Sequence, residues 1–307
     1  MKLDGIHHVT CITGDAPANV RFYVGTLGLR LVKKSVNQDV PNVYHLFYAD
    51  DEGGAGSDIT FFEYPGIHKG TPGDGQIHLV TFRVGSDDSL DFWEQRLKSH
   101  GFDSVRDDGR LQFEDPDGLK LELTAVQTTD EPLRALHPEI PEEHALQGFD
   151  SVRAYTSDVA RSKALFEDVL NFEPQRDNAW ESRGESRGSF FTFDEAPGAA
   201  VEGAGSVHHV AWACAMDEHE AWHKIVSDAG TNVTPIIDRF YFRSIYFRIP
   251  AGVLFEIATK GPGFDSDEPL ETLGHNLSLP PNYEHLRQQL EKELTPLPKT
   301  RAEDFVG

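Results

Sequence analysis

Three side chains of this 307-residue chain are of the types that hold a divalent metal and leave it reactive. His8 lies in Gly5-Ile6-His7-His8-Val9-Thr10, His209 in Val207-His208-His209-Val210-Ala211, and Glu256 in Val253-Leu254-Phe255-Glu256-Ile257. Two imidazoles and one carboxylate form a facial set that leaves neighbouring positions of a cation open, an arrangement suited to non-haem iron(II) and oxygen chemistry. A lone strand histidine is usually a packed or exposed residue. Two His-His pairs in similar alternating runs, with a glutamate inside an apolar strand, are a stronger signal. Burying that carboxylate without a partner costs several kcal/mol, and a metal supplies the partner.

The elements that must position these residues recur along the chain. Gly5 to Thr10 opens a short strand, Asp15 caps a helix bearing Val20, Tyr23, Val24 and Leu27, and Gly28 ends it. The plan returns at Gly148-Phe149-Asp150-Ser151, with Asp158 as cap and Leu165, Phe166 and Val169 as the apolar stripe. A second pair matches likewise. Gln76-Ile77-His78-Leu79-Val80 parallels Ser206-Val207-His208-His209-Val210, and a helix with a tryptophan follows each, Trp93 and Trp222. Each of these then reaches a turn and a strand, Asp115-Pro116-Asp117-Gly118 before Glu122 and Ile249-Pro250-Ala251-Gly252 before Glu256.

Four units result, at roughly 3–66, 75–126, 146–200 and 205–260, joined by a proline-containing linker at 127–147. The expected fold is α+β, with four βαβββ modules paired into two domains, because one such unit cannot bury both faces of its sheet alone. The chain divides into an N-terminal domain at 1–130, a C-terminal domain at 145–262, and an extension at 263–307 with an amphipathic helix from Glu284 to Leu294. Unit three has Ser151 where unit one has His8, and unit two has Leu79 where unit four has His209. Only Glu122 survives opposite Glu256. One metal site per chain is therefore expected.

The net charge of −23 argues against nucleic-acid and anionic-membrane partners. No apolar run is long enough to span a bilayer, and the first residues lack a signal-peptide core, so a cytoplasmic protein is expected. The two cysteines, Cys11 and Cys214, are too few for a disulfide scaffold.

Taken together, these segments resemble the vicinal-oxygen-chelate superfamily of glyoxalases, bleomycin-resistance proteins and extradiol dioxygenases. Within it they are most similar to hydroquinone-type ring-cleaving dioxygenases. Besides the two histidine motifs, the resemblance is carried by Asp238-Arg239-Phe240-Tyr241-Phe242-Arg243-Ser244-Ile245-Tyr246-Phe247-Arg248, by Pro250-Ala251-Gly252-Val253-Leu254-Phe255-Glu256, and by Gly274-His275-Asn276-Leu277-Ser278-Leu279-Pro280-Pro281. It spans residues 3–298 in order and spacing. The resemblance implies that the second histidine of each pair is the ligand, and that a strand of unit one shares its site with unit four. It implies iron(II), with manganese(II) as the alternative, a small aromatic substrate and dioxygen. Arg239 and Tyr246 resemble substrate-side residues, and Tyr246 would hydrogen-bond a phenolic oxygen. His208 or His7 would serve in acid–base chemistry, with His7 and Thr10 close to the substrate. A homo-oligomer is left open.

His219-Glu220-Ala221-Trp222-His223 matches the H-E-x-x-H zinc-protease pattern. Trp222, Ile225, Val226 and Ala229 mark one face of that helix as core-facing, so the expected reading is an outer helix remote from the site. Rival functions are a catechol extradiol dioxygenase with the same triad, a glyoxalase-like isomerase and a metal-free ligand-sequestering protein. The isomerase usually goes with a fourth protein ligand, and Glu63 lies near the matching strand but out of register. The intact triad beside a degenerate second set argues against the sequestering protein.

Overall fold

The structure is a computed structural model that describes residues 1–306. Among them, four strand–helix–strand–strand–strand units follow one another. The first holds β1 (Ile6–Thr13), α1 (Ala16–Val20), β2 (Arg30–Val36), β3 (Tyr44–Ala49) and β4 (Asp58–Glu63). The second holds β5 (Ile77–Val84), α2 (Asp87–Ser99), β6 (Ser104–Asp107), β7 (Arg110–Glu114) and β8 (Lys120–Ala125). The third holds β9 (Phe149–Thr156), α3 (Ala160–Ala164), β10 (Glu173–Pro174), β11 (Ala179–Arg183) and β12 (Gly188–Glu195). The fourth holds β13 (Val207–Cys214), α4 (His219–Asp228), β14 (Ile237–Asp238), β15 (Phe242–Arg248) and β16 (Leu254–Pro262).

Local chemistry sets the boundaries. Asp15 accepts a hydrogen bond from the Ala18 amide at 2.9 Å and caps α1. The helical stretch continues to Thr26, and Gly28, at φ +70°, turns the chain out of it. Asp158 accepts from the Ala160 amide at 3.0 Å ahead of α3. Trp93 of α2 and Trp222 of α4 are fully buried, as expected of helices that cover a sheet.

The strands form two eight-stranded sheets, ordered β14-β15-β16-β13-β1-β4-β3-β2 and β10-β11-β12-β9-β5-β8-β7-β6. Units one and four build the first sheet, and units two and three the second. Residues 1–130 and 145–262 thus each hold two units in sequence, but neither half closes a sheet on itself. The first strand of each unit would otherwise present an open row of backbone N–H and C=O groups, and the other half covers it. β1 pairs antiparallel with β13, and β5 with β9.

Beyond β16, the helix expected from Glu284 begins as a 3-10 turn (Pro281–Leu286) and becomes α5 only at Arg287–Glu293, a common tightening at a short helix start. Leu290 and Leu294 are buried in the main core, so this segment packs on its own chain. No helix of the described residues is long and apolar enough to cross a membrane.

Candidate metal centre and substrate cavity

Three neighbouring strands bring the triad together. His8 of β1 lies opposite Ala211 of β13, and Ala211 lies beside Glu256 of β16. The small alanine leaves the space above that row to the flanking side chains. His8 Nε2 is 3.1 Å and His209 Nε2 2.9 Å from Glu256 Oε2, and the two nitrogens are 3.3 Å apart. All three side chains are buried. The histidine–carboxylate contacts are close but misaligned for N–H···O bonds, and neither oxygen of Glu256 has a hydrogen-bond partner. Such a buried, unsatisfied carboxylate is costly. A divalent cation at the common focus would satisfy both imidazole lone pairs and the carboxylate at once, so the residues present fit a metal.

Electrostatics favour the ligand forms. Burial pushes the His209 imidazole down to about 4, against the pull of Glu256, so it is neutral at pH 7. Burial alone would raise the Glu256 carboxyl. When protonated, the facing His8 and His209 outweigh it and hold that group well below the usual carboxylate range, but neutral imidazoles leave its charge uncompensated.

The first histidine of each pair fixes the second. His7 Nδ1 is 2.9 Å from His8 Nδ1, and His7 Nε2 is 3.1 Å from the Thr259 carbonyl. If His8 keeps its Nε2 lone pair for a metal, its Nδ1–H donates to His7, and His7 Nε2–H donates to the carbonyl. Burial, and then the neighbouring His8, push His7 down to about 3 and keep it neutral. His208 Nδ1 stands 2.7 Å from His209 Nδ1 and plays the same part there. The two differ in access: His208 lines the cavity, whereas His7 lies behind His8 and away from its wall.

Register identifies the fourth position. Glu256 pairs with the residue two beyond His209, and in unit one the residue two beyond His8, Thr10, pairs with Thr60. A hydroxyl therefore occupies the place of a fourth ligand. Glu63 lies three residues further along β4 and accepts from the Ala16 amide at 3.1 Å. In the other sheet, Glu122 holds the place of Glu256, with Thr81, Arg110 and Gln112 bonded to its oxygens. Gln112 pairs with Glu122 as Tyr246 pairs with Glu256. Arginine and amide protons there do what a cation would do at Glu256.

A cavity of about 420 Å³ opens above the triad, within the range of small-molecule sites. Phe47, Phe62, Phe242, Val36 and Leu254 give it apolar walls, and Thr10, Tyr246 and Arg239 also line it. Arg239 Nε donates to the Tyr246 hydroxyl oxygen at 3.2 Å, and its guanidinium also pairs with Asp39 at 3.1 Å. The Tyr246 ring lies edge-on to His209 at 5.6 Å. Burial, and then the charge of Glu256, push the Tyr246 phenol up, so it keeps its proton.

Among the cavity residues that sequence reasoning missed are His45 and Asp39. The alternation Tyr44-His45-Leu46-Phe47 carried a usable signal for the first, since it puts His45 and Phe47 on one face. Asp39 sits in a connection, where no periodicity points inward. Neither histidine of the H-E-x-x-H helix lines the cavity. His219 Nε2 bonds the Ile257 carbonyl at 3.0 Å and His223 Nε2 the Thr234 carbonyl at 3.1 Å, both structural contacts.

Comparison with known proteins agrees with this architecture. Residues 5–123 and 148–257 match the model of the Glyoxalase/Bleomycin resistance protein/Dioxygenase superfamily. The chain is 37% identical to a Bacillus subtilis protein named "Putative ring-cleaving dioxygenase MhqA", over 97% of this chain and 100% of that one. It is 33% identical to the chlorohydroquinone/hydroquinone 1,2-dioxygenase of Sphingobium indicum, over 94% of this chain and 95% of that one. Among solved structures, a Bacillus subtilis protein described as a putative dioxygenase superposes with a TM-score of 0.90 at 36% identity, covering 98% of this chain and 99% of that one. Glyoxalase I of Zea mays superposes at 0.58 with 16% identity, over 89% of this chain and 97% of that one, a likeness of fold alone. With both repeat halves matched and its paired sheets shared with those structures, the chain belongs to the glyoxalase/bleomycin resistance protein/dioxygenase superfamily.

Proposed function

We propose that this chain opens hydroquinone-type aromatic rings with dioxygen, at a divalent metal held by His8, His209 and Glu256. The observation that carries the reading is the buried three-ligand focus opening onto an apolar cavity large enough for a substituted ring. The similarity to the Sphingobium hydroquinone dioxygenase supports the substrate class. Iron(II) is the metal we assign, with manganese(II) the alternative. When bound, such a metal acidifies a ring hydroxyl and holds it beside dioxygen.

The chain's own groups have separable tasks. Tyr246, whose oxygen receives the Arg239 Nε–H, keeps its own proton to donate to the ring oxygen at the metal end. Asp39 offsets the charge of Arg239, so the cavity suits an uncharged diphenol. His208, with Nδ1 used by His209, presents its other ring nitrogen to the cavity and is our candidate for moving a proton. His7 and Thr10 support the site from behind His8 and from the cavity floor. Phe47, Phe62 and Phe242 keep bulk water off the ring. Thr60 in the fourth position speaks for a three-ligand oxygenase over a glyoxalase-like isomerase. Two free, buried cysteines fit a reducing compartment, and on that ground we place the protein in the cytoplasm.

Oxygen uptake by anaerobically iron(II)-loaded protein tests the reading, with methylhydroquinone and then catechol offered. Uptake with methylhydroquinone that disappears in His209→Ala supports it. Uptake with catechol alone moves the substrate class and keeps the site. No uptake with either ring, after iron and then manganese loading, refutes the dioxygenase.

A further inference from the structure

The cavity wall carries a histidine that none of the roles above uses. His45 sits on β3, two strands from β1 in the sheet, a backbone separation of about 10 Å. Its ring packs between Phe47 and Phe62, with centroids at 3.9 and 4.4 Å. Its Nε2 stands 2.9 Å from Thr60 Oγ1, and Thr60 Oγ1 donates to Thr10 Oγ1 at 2.9 Å. That order assigns the tautomer. The single Thr60 proton goes to Thr10, so Thr60 must accept from His45 Nε2–H, which leaves a lone pair on Nδ1. Among the described residues, Nδ1 has no hydrogen-bond partner, and it is not sealed from solvent as the buried orphan atoms are.

Several polar groups of the cavity are committed elsewhere, and the free ring nitrogen of His208 has its own proposed task. Asn37 Oδ1 accepts from the Asp39 amide, Gln38 Nε2 donates to the Arg239 carbonyl, and Arg239 holds Asp39 and Tyr246. Burial, followed by the neighbouring His8, His209 and Arg239, keeps His45 neutral. Tyr246 is beside the ligand His209 and serves the metal end of a ring. His45 makes its ring contacts with phenylalanines, and its Nε2 is turned to Thr60 in the fourth position, so Nδ1 is the ring nitrogen turned away from the metal end.

From this geometry we infer that His45 Nδ1 accepts the hydrogen bond of the substrate hydroxyl remote from the metal, and so selects diphenols over monophenols. Thr60 and Thr10 are positioning residues that hold its tautomer. A site built around an acceptor discriminates against an analogue that lacks the matching proton. The inference rests on the ring-cleaving reading, because it needs a ring hydroxyl at the metal end.

Hydroquinone and p-cresol test it, since the two have nearly the same shape and differ at one hydroxyl. Calorimetric titration of the anaerobic iron(II)-loaded protein is expected to show hydroquinone bound about five- to tenfold more tightly. In His45→Phe the preference should fall to about one, with p-cresol affinity and iron content unchanged, and His45→Gln should restore part of it. If His45→Phe does not fold, Thr60→Val provides the second arm, because it removes the acceptor that fixes the tautomer. It should lower the same ratio. A wild-type preference that survives either substitution overturns the role of His45 and leaves the dioxygenase standing. Loaded wild type that binds neither ring overturns both.

Discussion

Replacing Glu256 with glutamine should change stability in opposite directions with and without metal. The wild-type carboxylate is completely buried, with an imidazole nitrogen at 3.1 and 2.9 Å and no aligned hydrogen bond to either oxygen. Without metal, that unsatisfied charge costs about 1–3 kcal/mol or more. The amide of Glu256→Gln has no charge to desolvate and can donate to one of the imidazoles. In EDTA the variant should therefore be more stable by about 1–3 kcal/mol, or roughly 2–6 °C at ~2 °C per kcal/mol for a chain of this size. With metal at a hundred times its dissociation constant, the wild type should gain about 2.7 kcal/mol, near 5 °C. Loss of a ligand charge should weaken metal binding by at least ~100-fold, which cancels that gain in the variant. Thermal melts of both proteins, in EDTA and in anaerobic iron(II), give the four numbers. A variant that melts below the wild type in EDTA and gains as much from metal would refute the account of Glu256.

Two further outcomes test other parts of the structure. His7→Phe keeps the ring shape behind His8 but removes the acceptor of its Nδ1–H, so metal affinity measured by chelator competition should fall about 10–100-fold, and unchanged affinity would dismiss that support. Asp130 ties the segment between β8 and β9 to Arg83 and Arg183. Burial opposes its ionisation, but the two guanidiniums prevail and hold its carboxyl at about 2. With the folded value below the unfolded one, the stabilisation is present above about pH 4 and is lost as pH falls towards 2. It amounts to about 2 kcal/mol. Urea melts at pH 5 and pH 3 should show a smaller fall for Asp130→Asn than for the wild type, and equal falls would show that the pair contributes nothing there.

Much of this protein could be read from local order along the chain. The four units, the capping aspartates and the core-facing tryptophans follow from periodicity, because the 3.6- and 2-residue repeats decide which side of an element is apolar. The candidate ligands were readable for a related reason. Histidines and a glutamate at repeat-equivalent strand positions must face the same way, and their counterparts Ser151 and Leu79 show where the pattern lapses. The same logic removed His219 and His223, whose helix turns its apolar stripe to the core as an outer layer.

Strand partnership was decided by tertiary structure. Periodicity assigns a residue to a face but says nothing of which distant strand completes the ladder, so the joining of β1 to β13 and of β5 to β9 is set by edges meeting across the chain. From that register follow the facts local reading could not supply. Thr60, and not Glu63, stands in the fourth position. Glu122 is paired with the Arg110 guanidinium and accepts a hydrogen bond from the Gln112 amide. His7 lies behind its neighbour, while His45 faces the cavity across two strands. A one-residue step along a strand turns a side chain to the opposite face, and only the paired sheet decides where that step falls.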